Sequence, residues 1–254
     1  MVTHVHVSRI GLTPLKGARH VARQRLRLDL DGPVDDRVFA LVDPVRGRVL
    51  RTVEHPCHVR TVVDWDGVEL TVQLPDETVS GVPATTEDVR EVDYWGRTVT
   101  VEVVAGPWAA AYARHLGFDV LLVRAVGLGR TVYGSSVSLV TTSSVDHLGE
   151  RLGVPVDDAR FRATFTVATP GEPPHVEDAW RGRRLRLGDA EVEVRDPLPR
   201  CAVIDFDPAS GERRVDVLKC LGGYRHLSGE ILFGVDAVVT RPGDVAVGVV
   251  LERS

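Results

Sequence analysis

Apolar residues, most of them valine, alternate with polar residues along much of the chain. Residues 67–72, 98–103, 183–187 and 190–194 each follow this period of two. Such alternation is typical of strands with one buried face. Gly188 and Asp189 separate the last two segments and predict a tight hairpin turn. Many short strands separated by turn residues predict a mainly β fold with a few helices, of the α+β class.

Two segments interrupt the alternation and predict helices. Residues 107–116 begin with Pro107 and are followed by Gly117, the usual arrangement of residues at helix ends. A second helix is expected further on, with Ser143 or Ser144 as its N-cap. Because the first helix lies between two runs of predicted strands, we place a domain boundary near residue 117.

Composition limits the classes of function. Of the 254 residues, 43% are hydrophobic and 26% are charged, values typical of globular proteins. The formal net charge of −5 offers no general attraction to nucleic acid or to anionic membranes. Three cysteines are too few for a disulfide framework, and we expect free thiols in a reducing compartment. Without a signal-like N-terminus or a membrane-length apolar run, the expected location is the cytoplasm.

Two histidine clusters suggest metal sites. His55, Cys57 and His58 stand close together, but a structural zinc site needs four ligands, usually in spaced pairs. His4 and His6 share one face of a predicted strand, which a polar strand face explains as well. We therefore favour the interpretation without a metal for both clusters.

Cys201 has the most informative surroundings of the three cysteines. Pro197 and Pro199 stiffen the approach to it, and Arg200 precedes it directly. A neighbouring cation favours the thiolate, which is both a nucleophile and a soft metal ligand. The alternative is a small buried apolar residue, the usual environment of a free cysteine.

The residues around Cys201 resemble those of the MOSC family, the molybdenum cofactor sulfurase C-terminal domain proteins. The sequence is most similar to the two-domain group that includes the mitochondrial amidoxime-reducing component, and the similarity covers nearly the whole chain. The matching segments in the N-terminal half are residues 12–17 and 36–43. Those in the C-terminal half are residues 160–162, 177–180, 187–191, 200–201, 205–211, 218–219, 224–225, 233–234 and 242–248.

This resemblance implies an N-terminal β-barrel domain with its connecting helix, residues 1–117, followed by a MOSC β-barrel domain, residues 118–254. It also implies a molybdenum cofactor of the molybdopterin type, with the metal bound by the thiolate of Cys201. Lys16 and Arg162 would contact the anionic pterin-phosphate end of that cofactor.

Four further residues complete the cofactor-binding set that we expect. Thr141 and Ser144, near the start of the second helix, would add hydroxyl and backbone donors. Arg51 and Arg200 would add positive charge.

Several positions depart from the family pattern. Val53 stands where an anion-binding arginine is expected, and Gly17 ends the lysine motif in place of serine. Thr164 stands in an Arg-Ala-Thr segment where the family has Arg-Pro-Asn. Arg51 lies two positions before Val53, and on a strand it would share the same face and could substitute for the missing arginine.

Three functions remain open. The favoured one is a molybdenum-dependent oxidoreductase that reduces the N–O bond of an N-hydroxylated small molecule. It would need a separate electron-transfer protein, because the three cysteines do not have iron–sulfur spacing. The second is a transferase or lyase without molybdenum, in which Cys201 is a nucleophile or sulfur carrier. The third is a small-molecule binding protein without activity.

Overall fold

The computed structural model describes residues 4–126 and 135–253. Within these residues β structure predominates, as the alternation predicts, and three α-helices accompany it. The helices are α1 Trp108–Leu116, α2 Thr142–Leu152 and α3 Val217–Gly222. Four short 3-10 helices lie at Pro56–Arg60, Asp158–Phe161, Val176–Trp180 and Ala202–Asp205.

Twenty strands are assigned in the described part of the chain. Those before α1 are β1 His6–Leu12, β2 Val21–Arg23, β3 Arg25–Asp29, β4 Gly32–Pro33, β5 Phe39–Asp43, β6 Arg48–Val49, β7 Val62–Trp65, β8 Leu70–Gln73, β9 Thr78–Gly81, β10 Ala84–Tyr94 and β11 Arg97–Ala105. Those after it are β12 Leu121–Ala125, β13 Val137–Thr141, β14 Phe165–Ala168, β15 Arg184–Leu187, β16 Ala190–Pro199, β17 His226–Leu227, β18 Glu230–Arg241, β19 Gly243–Ala246 and β20 Leu251–Arg253.

The strands form one large sheet, one ring and two small sheets. The large sheet has the order β2-β1-β14-β13-β18-β16-β15-β20, and β17 also pairs with β18. Five strands close into a ring in the order β10-β11-β12-β5-β6. The small sheets are β19-β3-β4 and β7-β8-β9. The mainly β class is confirmed, whereas the prediction of two barrels is not.

Strand pairing crosses the predicted boundary near residue 117 in both directions. Strand β1 comes from the N-terminal part but pairs with β14 in the large sheet. Strand β12 follows α1 but pairs with β11 and β5 in the ring. Each half of the sequence therefore supplies a strand to the sheet of the other half, and this exchange brings distant segments together around one cavity.

The predicted hairpin and the first helix are confirmed, and the cap of the second helix is corrected. Strands β15 and β16 pair through Leu187 and Ala190, next to the predicted turn. Helix α1 begins after Pro107 and ends before Gly117. Helix α2, however, is capped by Thr141, whose side chain accepts a hydrogen bond from the backbone N–H of Ser144. The two serines therefore lie inside the first turn of the helix.

Prolines shape the end of β16, which leads to Cys201. The register between β16 and β18 shifts between Val194 and Pro197, and again between Pro197 and Pro199. Proline has no N–H to donate to a neighbouring strand, so such shifts are expected where it occurs in a sheet. The chain therefore leaves the sheet immediately before Cys201. Within the described residues, no helix is long and apolar enough to span a membrane.

Candidate functional site

A cavity of about 490 Å³ lies between the strand ring and the large sheet. One wall comes from residues 16–17, residues 50–53 and the turn between β10 and β11. The facing wall comes from residues 135–138, the end of the second 3-10 helix, the end of β16 and the hairpin between β17 and β18. A cavity of this size matches small-molecule and cofactor sites.

The charge of the cavity lining is strongly unbalanced. Five cationic residues line it, whereas a single described lining residue, Glu230, carries a carboxylate. Converging cations concentrate positive potential in a cleft and favour an anionic ligand. The cationic residues are Lys16, Arg37, Arg51, Arg162 and Arg200.

Lys16 is a desolvated cation that contacts an aromatic ring but has no hydrogen-bond or ion-pair partner in the part of the chain that the structure describes. Its Nζ lies 4.7 Å from the centre of the Tyr94 ring, and no hydrogen bond or ion pair to it exists among the described residues. Burial lowers the pKa of Lys16 to about 7, and the charges of Arg37 and Arg162 add to this effect. An anion bound at Nζ would therefore restore a missing interaction.

Gly17, which also lines the cavity, stands next to a buried histidine. Its φ of +91° lies in the left-handed region, and a Cβ at this position would lie 2.6 Å from His58 Nδ1. Burial lowers the pKa of His58 to about 3, so the imidazole is neutral at pH 7. A side chain at position 17 would therefore meet His58, and glycine avoids that contact. The Gly17 N–H has no hydrogen-bond acceptor within the described residues.

Arg162 and Arg37 are held in an uncommon backbone conformation. Their φ values are 52° and 51°, and Trp95, another lining residue, has a φ of 55°. Non-glycine residues seldom adopt this left-handed region, and such strain concentrates at functional sites. Arg162 donates from Nη2 to the carbonyl of Ala18 at 2.7 Å. Burial, followed by the charge of Arg37, lowers the pKa of Arg162 to about 9.

Arg200 is fixed at two of its nitrogens and free at the third. Its Nε donates to the carbonyl of Phe233 at 2.7 Å, and its Nη1 donates to that of Phe161 at 2.9 Å. Its Nη2 is buried and has no hydrogen-bond partner within residues 4–126 and 135–253. Burial lowers the pKa of Arg200 to about 10. A guanidinium locked in this way, with one unused donor, suits an anionic ligand.

Cys201 follows Arg200 at the cavity wall and is exposed. The sequence alternative of a buried apolar cysteine is therefore wrong for this residue. Cys57 and Cys220 are partly buried, and none of the three forms a disulfide. No group of three His, Cys, Asp or Glu side chains among the described residues could hold a metal ion.

Comparison with known proteins identifies the family. The MOSC domain model matches residues 114–252, more than half of the chain. The chain belongs to the MOSC domain family. A curated relative named molybdenum cofactor sulfurase, from Caenorhabditis briggsae, is 28% identical over 233 residues, which cover 87% of this chain and 32% of the relative. A protein of the same name from Solanum lycopersicum is 32% identical over 38% of this chain and 13% of its own length.

The first of these relatives is about three times as long as the part that this MOSC chain matches. Among solved structures, the YuaD protein from Bacillus subtilis aligns over 99% of this chain and 96% of its own, with a TM-score of 0.47 and 14% sequence identity.

Arg51 lines the cavity of this MOSC chain, but not for the reason that the sequence suggested. Strand β6 ends at Val49, so Arg51 and Val53 lie in an irregular turn and no strand periodicity relates them. The guanidinium of Arg51 lies 4.5 Å from the centre of the Trp95 ring, with carboxylate oxygens of Glu54 and Asp93 at 3.7 and 3.8 Å. Its charge is therefore partly balanced.

Thr141 and Ser144 are not among the residues that line the cavity. Both are fully buried, and their hydroxyls donate to the carboxylate of Glu177 at 2.7 and 2.8 Å. Burial raises the pKa of Glu177, against the effect of these hydrogen bonds. The expected cofactor contacts are corrected, because these hydroxyls are already used within the protein.

Thr164, which replaces the family's asparagine, has a structural partner. Its N–H donates to Ser138 Oγ at 3.1 Å, and its Oγ1 accepts from the Ser138 N–H at 3.2 Å. Ser138 lines the cavity, so Thr164 supports the wall without facing the ligand space.

Several lining residues were not predicted from the sequence. Arg37 lies within a matched segment, but no role was assigned to it. The acidic residue directly before it, Asp36, could have indicated that Arg37 is held in a fixed position, because the two side chains form a buried ion pair. Nothing in the sequence indicated that Ser135, Ser136 and Trp95 line the cavity, since their position depends on how the two halves of the chain meet.

Proposed function

We propose that this chain binds a molybdenum cofactor in the cationic cavity, with the Cys201 thiolate as metal ligand, and reduces the N–O bond of an N-hydroxylated small molecule. The observation that carries the proposal is the convergence of five cationic residues and an exposed cysteine on one cavity. The relatives named molybdenum cofactor sulfurase support the link to this cofactor.

The available donors fit the anionic end of such a cofactor. Lys16 Nζ, the Gly17 N–H and Arg200 Nη2 all belong to lining residues and all lack partners among the described residues. Ammonium, backbone amide and guanidinium groups are the usual ligands of phosphate. Buried cations repel one another and destabilise the folded protein when no anion is bound between them. A bound anion would relieve that repulsion.

The cysteine in the cavity lining suits the metal. Cys201 is the lining residue with a soft sulfur donor, and thiolate is a preferred ligand for soft metals. When bound, the cofactor would supply the two-electron redox chemistry. The chain would bind the cofactor through Lys16, Arg162 and Arg200 and would shape the space for the substrate. The electron donor would lie outside these 254 residues, because their three cysteines lack iron–sulfur spacing.

The test is molybdenum content per chain, measured by plasma mass spectrometry on protein from a host that makes the cofactor. The variants are Cys201→Ala and, as a matched control, Cys57→Ala, which removes a cysteine outside the cavity. We expect near-stoichiometric molybdenum in the wild type and the control, and loss of at least about tenfold in Cys201→Ala, because the thiolate is the proposed protein ligand to the metal. Absence of molybdenum from the wild type would overturn the proposal. Detection of a persulfide at Cys201 would then support sulfur transfer.

A further inference from the structure

A short turn places uncharged polar groups at the wall of the cavity. Residues 51–54 form this turn, which is closed by hydrogen bonds of 3.0 and 3.1 Å to the carbonyl of Arg51. Thr52 and Val53, inside the turn, line the cavity. Their N–H groups and the Thr52 hydroxyl have no hydrogen-bond partner among the described residues. The turn therefore holds several unused donors.

The 3-10 helix that follows, Pro56–Arg60, carries the buried imidazole of His58. His58 is 2% exposed, and its ring packs edge-on against that of Tyr112, with ring centres 5.3 Å apart. Neither ring nitrogen has a hydrogen-bond partner in residues 4–126 and 135–253. Buried polar groups are nearly always hydrogen-bonded, so an imidazole without partners indicates that a ligand or water supplies the missing bond.

Gly17 brings the turn and the imidazole together. An ideal Cβ at Gly17 would lie 2.6 Å from His58 Nδ1 and 3.0 Å from Thr52 Oγ1. Both polar atoms therefore border the space beside this glycine, which lines the cavity together with Thr52. Because glycine has no side chain, residue 17 leaves the imidazole uncovered on this side. Lys16, whose Nζ is suited to an anion, is the adjacent residue in the chain.

The imidazole of His58 is a donor that carries no charge at pH 7. Burial, followed by the charge of Arg162, lowers the pKa of His58 to about 3. A neutral imidazole has one N–H and one lone pair, and the proton occupies either nitrogen. An anion beside Gly17 would accept from Nδ1–H and would fix that tautomer. Neutral donors strengthen the binding of an anion without adding to the repulsion among the five cations.

We propose that the Thr52 hydroxyl and His58 Nδ1–H form a neutral subsite beside Gly17, which binds oxygen atoms of the anion held at Lys16. This inference rests on the proposed function for the identity of that anion, the phosphate end of the cofactor. The same donors would recognise any phosphate or sulfate group. The subsite gives a binding role to His58, one member of the histidine cluster for which the described residues form no metal site.

The test is calorimetric titration with sulfate of protein from a host that makes no molybdenum cofactor. Thr52→Val keeps the shape and removes the hydroxyl, whereas His58→Phe keeps a ring against Tyr112 and removes both nitrogens. We expect about tenfold weaker sulfate binding in each variant, because each loses a hydrogen bond to a charged group. Thr78→Val on exposed β9 and His147→Phe on α2 are the matched controls outside the lining, and they should bind sulfate as the wild type does.

Nitrogen-15 NMR of the imidazole gives a readout that a purely structural role would not move. Sulfate should shift the Nδ1 signal of His58 to the position of a protonated, hydrogen-bonded nitrogen. The signal is assigned by its absence from His58→Phe. If that variant does not fold, the signal is assigned by elimination among the other histidines, and the shift and Thr52→Val decide.

The outcomes separate the subsite from the function on which it rests. Unchanged sulfate affinity in both variants, with no shift of the ring nitrogens, would overturn the subsite, and molybdenum bound by the wild type would leave the proposed function standing. A chain that acquires no molybdenum in a host that makes the cofactor, but binds sulfate in dependence on Thr52 and His58, would reject the proposed function. The subsite would then stand as a binding site for another phosphate ligand.

Discussion

Two polar clusters of this molecule look alike in sequence and differ completely in structure. One is the cationic cavity, where Lys16 Nζ and Arg200 Nη2 have no hydrogen-bond partners among the described residues. The other is the buried cluster of Thr141, Ser144 and Glu177, where each hydroxyl bonds to the carboxylate. Residues from both clusters were predicted to contact the same cofactor.

The difference shows how to separate binding groups from structural ones. A buried polar group is costly unless it is hydrogen-bonded, so a cluster that satisfies itself contributes to the fold. Desolvated cationic groups that lack a hydrogen-bond partner among the described residues, such as Lys16 Nζ and Arg200 Nη2, carry that cost until a ligand arrives. The first kind of cluster should therefore control stability, and the second should control anion binding.

The largest expected effect is on the buried cluster. Replacing Glu177 by alanine removes the acceptor of two buried hydroxyls and leaves a void, so we expect a loss of about 2–4 kcal/mol in the free energy of unfolding. Urea denaturation measures this loss. Calorimetric titration of the folded variant with sulfate, in the absence of urea, should give an affinity within about twofold of wild type. Glu150→Ala, which changes an exposed glutamate on helix α2, is the control and should change stability by less than about 0.5 kcal/mol.

A parallel loss of sulfate affinity in Glu177→Ala would break the distinction between the two clusters. It would mean that the buried carboxylate positions a cavity residue. Arg200 is the residue to examine in that case, because the charge of Glu177 acts on its pKa.

The second-largest effect concerns the cavity residue Gly17 and the buried side chain of His58. Gly17→Ala forces a residue with a Cβ into a left-handed conformation and against His58, so we expect a loss of about 2 kcal/mol in the free energy of unfolding and weaker sulfate binding. Gly182→Ala is the matched control, because its φ is +74° and no atom of the described residues lies within 4 Å of the added Cβ.

A double-mutant cycle tests why Gly17→Ala should lose more unfolding free energy than Gly182→Ala. His58→Ala in the Gly17→Ala background should recover the part that is due to the clash and leave the part that is due to φ. Equal losses for Gly17→Ala and Gly182→Ala would show that His58 does not explain the glycine.

Local signals in the sequence predicted local structure well. Pro107 and Gly117 mark the ends of α1, and Gly188 marks a hairpin, because each of these features depends on a few adjacent residues. Lys16 and Cys201 could be found in the same way, since the family motifs around them are continuous.

Contacts between distant segments could not be read from the sequence. Glu177 lies 36 residues after Thr141, and nothing near Thr141 indicates that its hydroxyl is already occupied. Arg51 reaches the cavity from a turn, so the strand periodicity invoked for it did not apply. The pairing of β1 with β14, which joins the two halves, depends on packing over the whole chain.

The smallest expected effect concerns Lys16, and it has the sharpest dependence on pH. Lys16→Met replaces one cation by an uncharged side chain of similar length. We therefore expect about tenfold weaker sulfate binding at pH 6 and no loss of stability. Because the pKa of Lys16 is about 7 in the folded protein, wild-type sulfate affinity should fall as the pH rises through 7, and the variant should lack this step. Sulfate is the suitable probe, because it does not itself titrate in this range.

The same shift of pKa fixes the sign of the stability change. The unfolded chain holds a proton on Lys16 up to pH 10.5, whereas the folded protein releases it near 7, so between these values the unfolded state binds more protons. Stability must therefore rise with pH in that window, relative to Lys16→Met. Methylation with carbon-13 labels the two lysines and the N-terminal amine, and the NMR signal of Lys16 is identified by its absence from Lys16→Met. A variant that loses stability but keeps its sulfate affinity would make Lys16 a structural residue and reverse its contrast with Glu177.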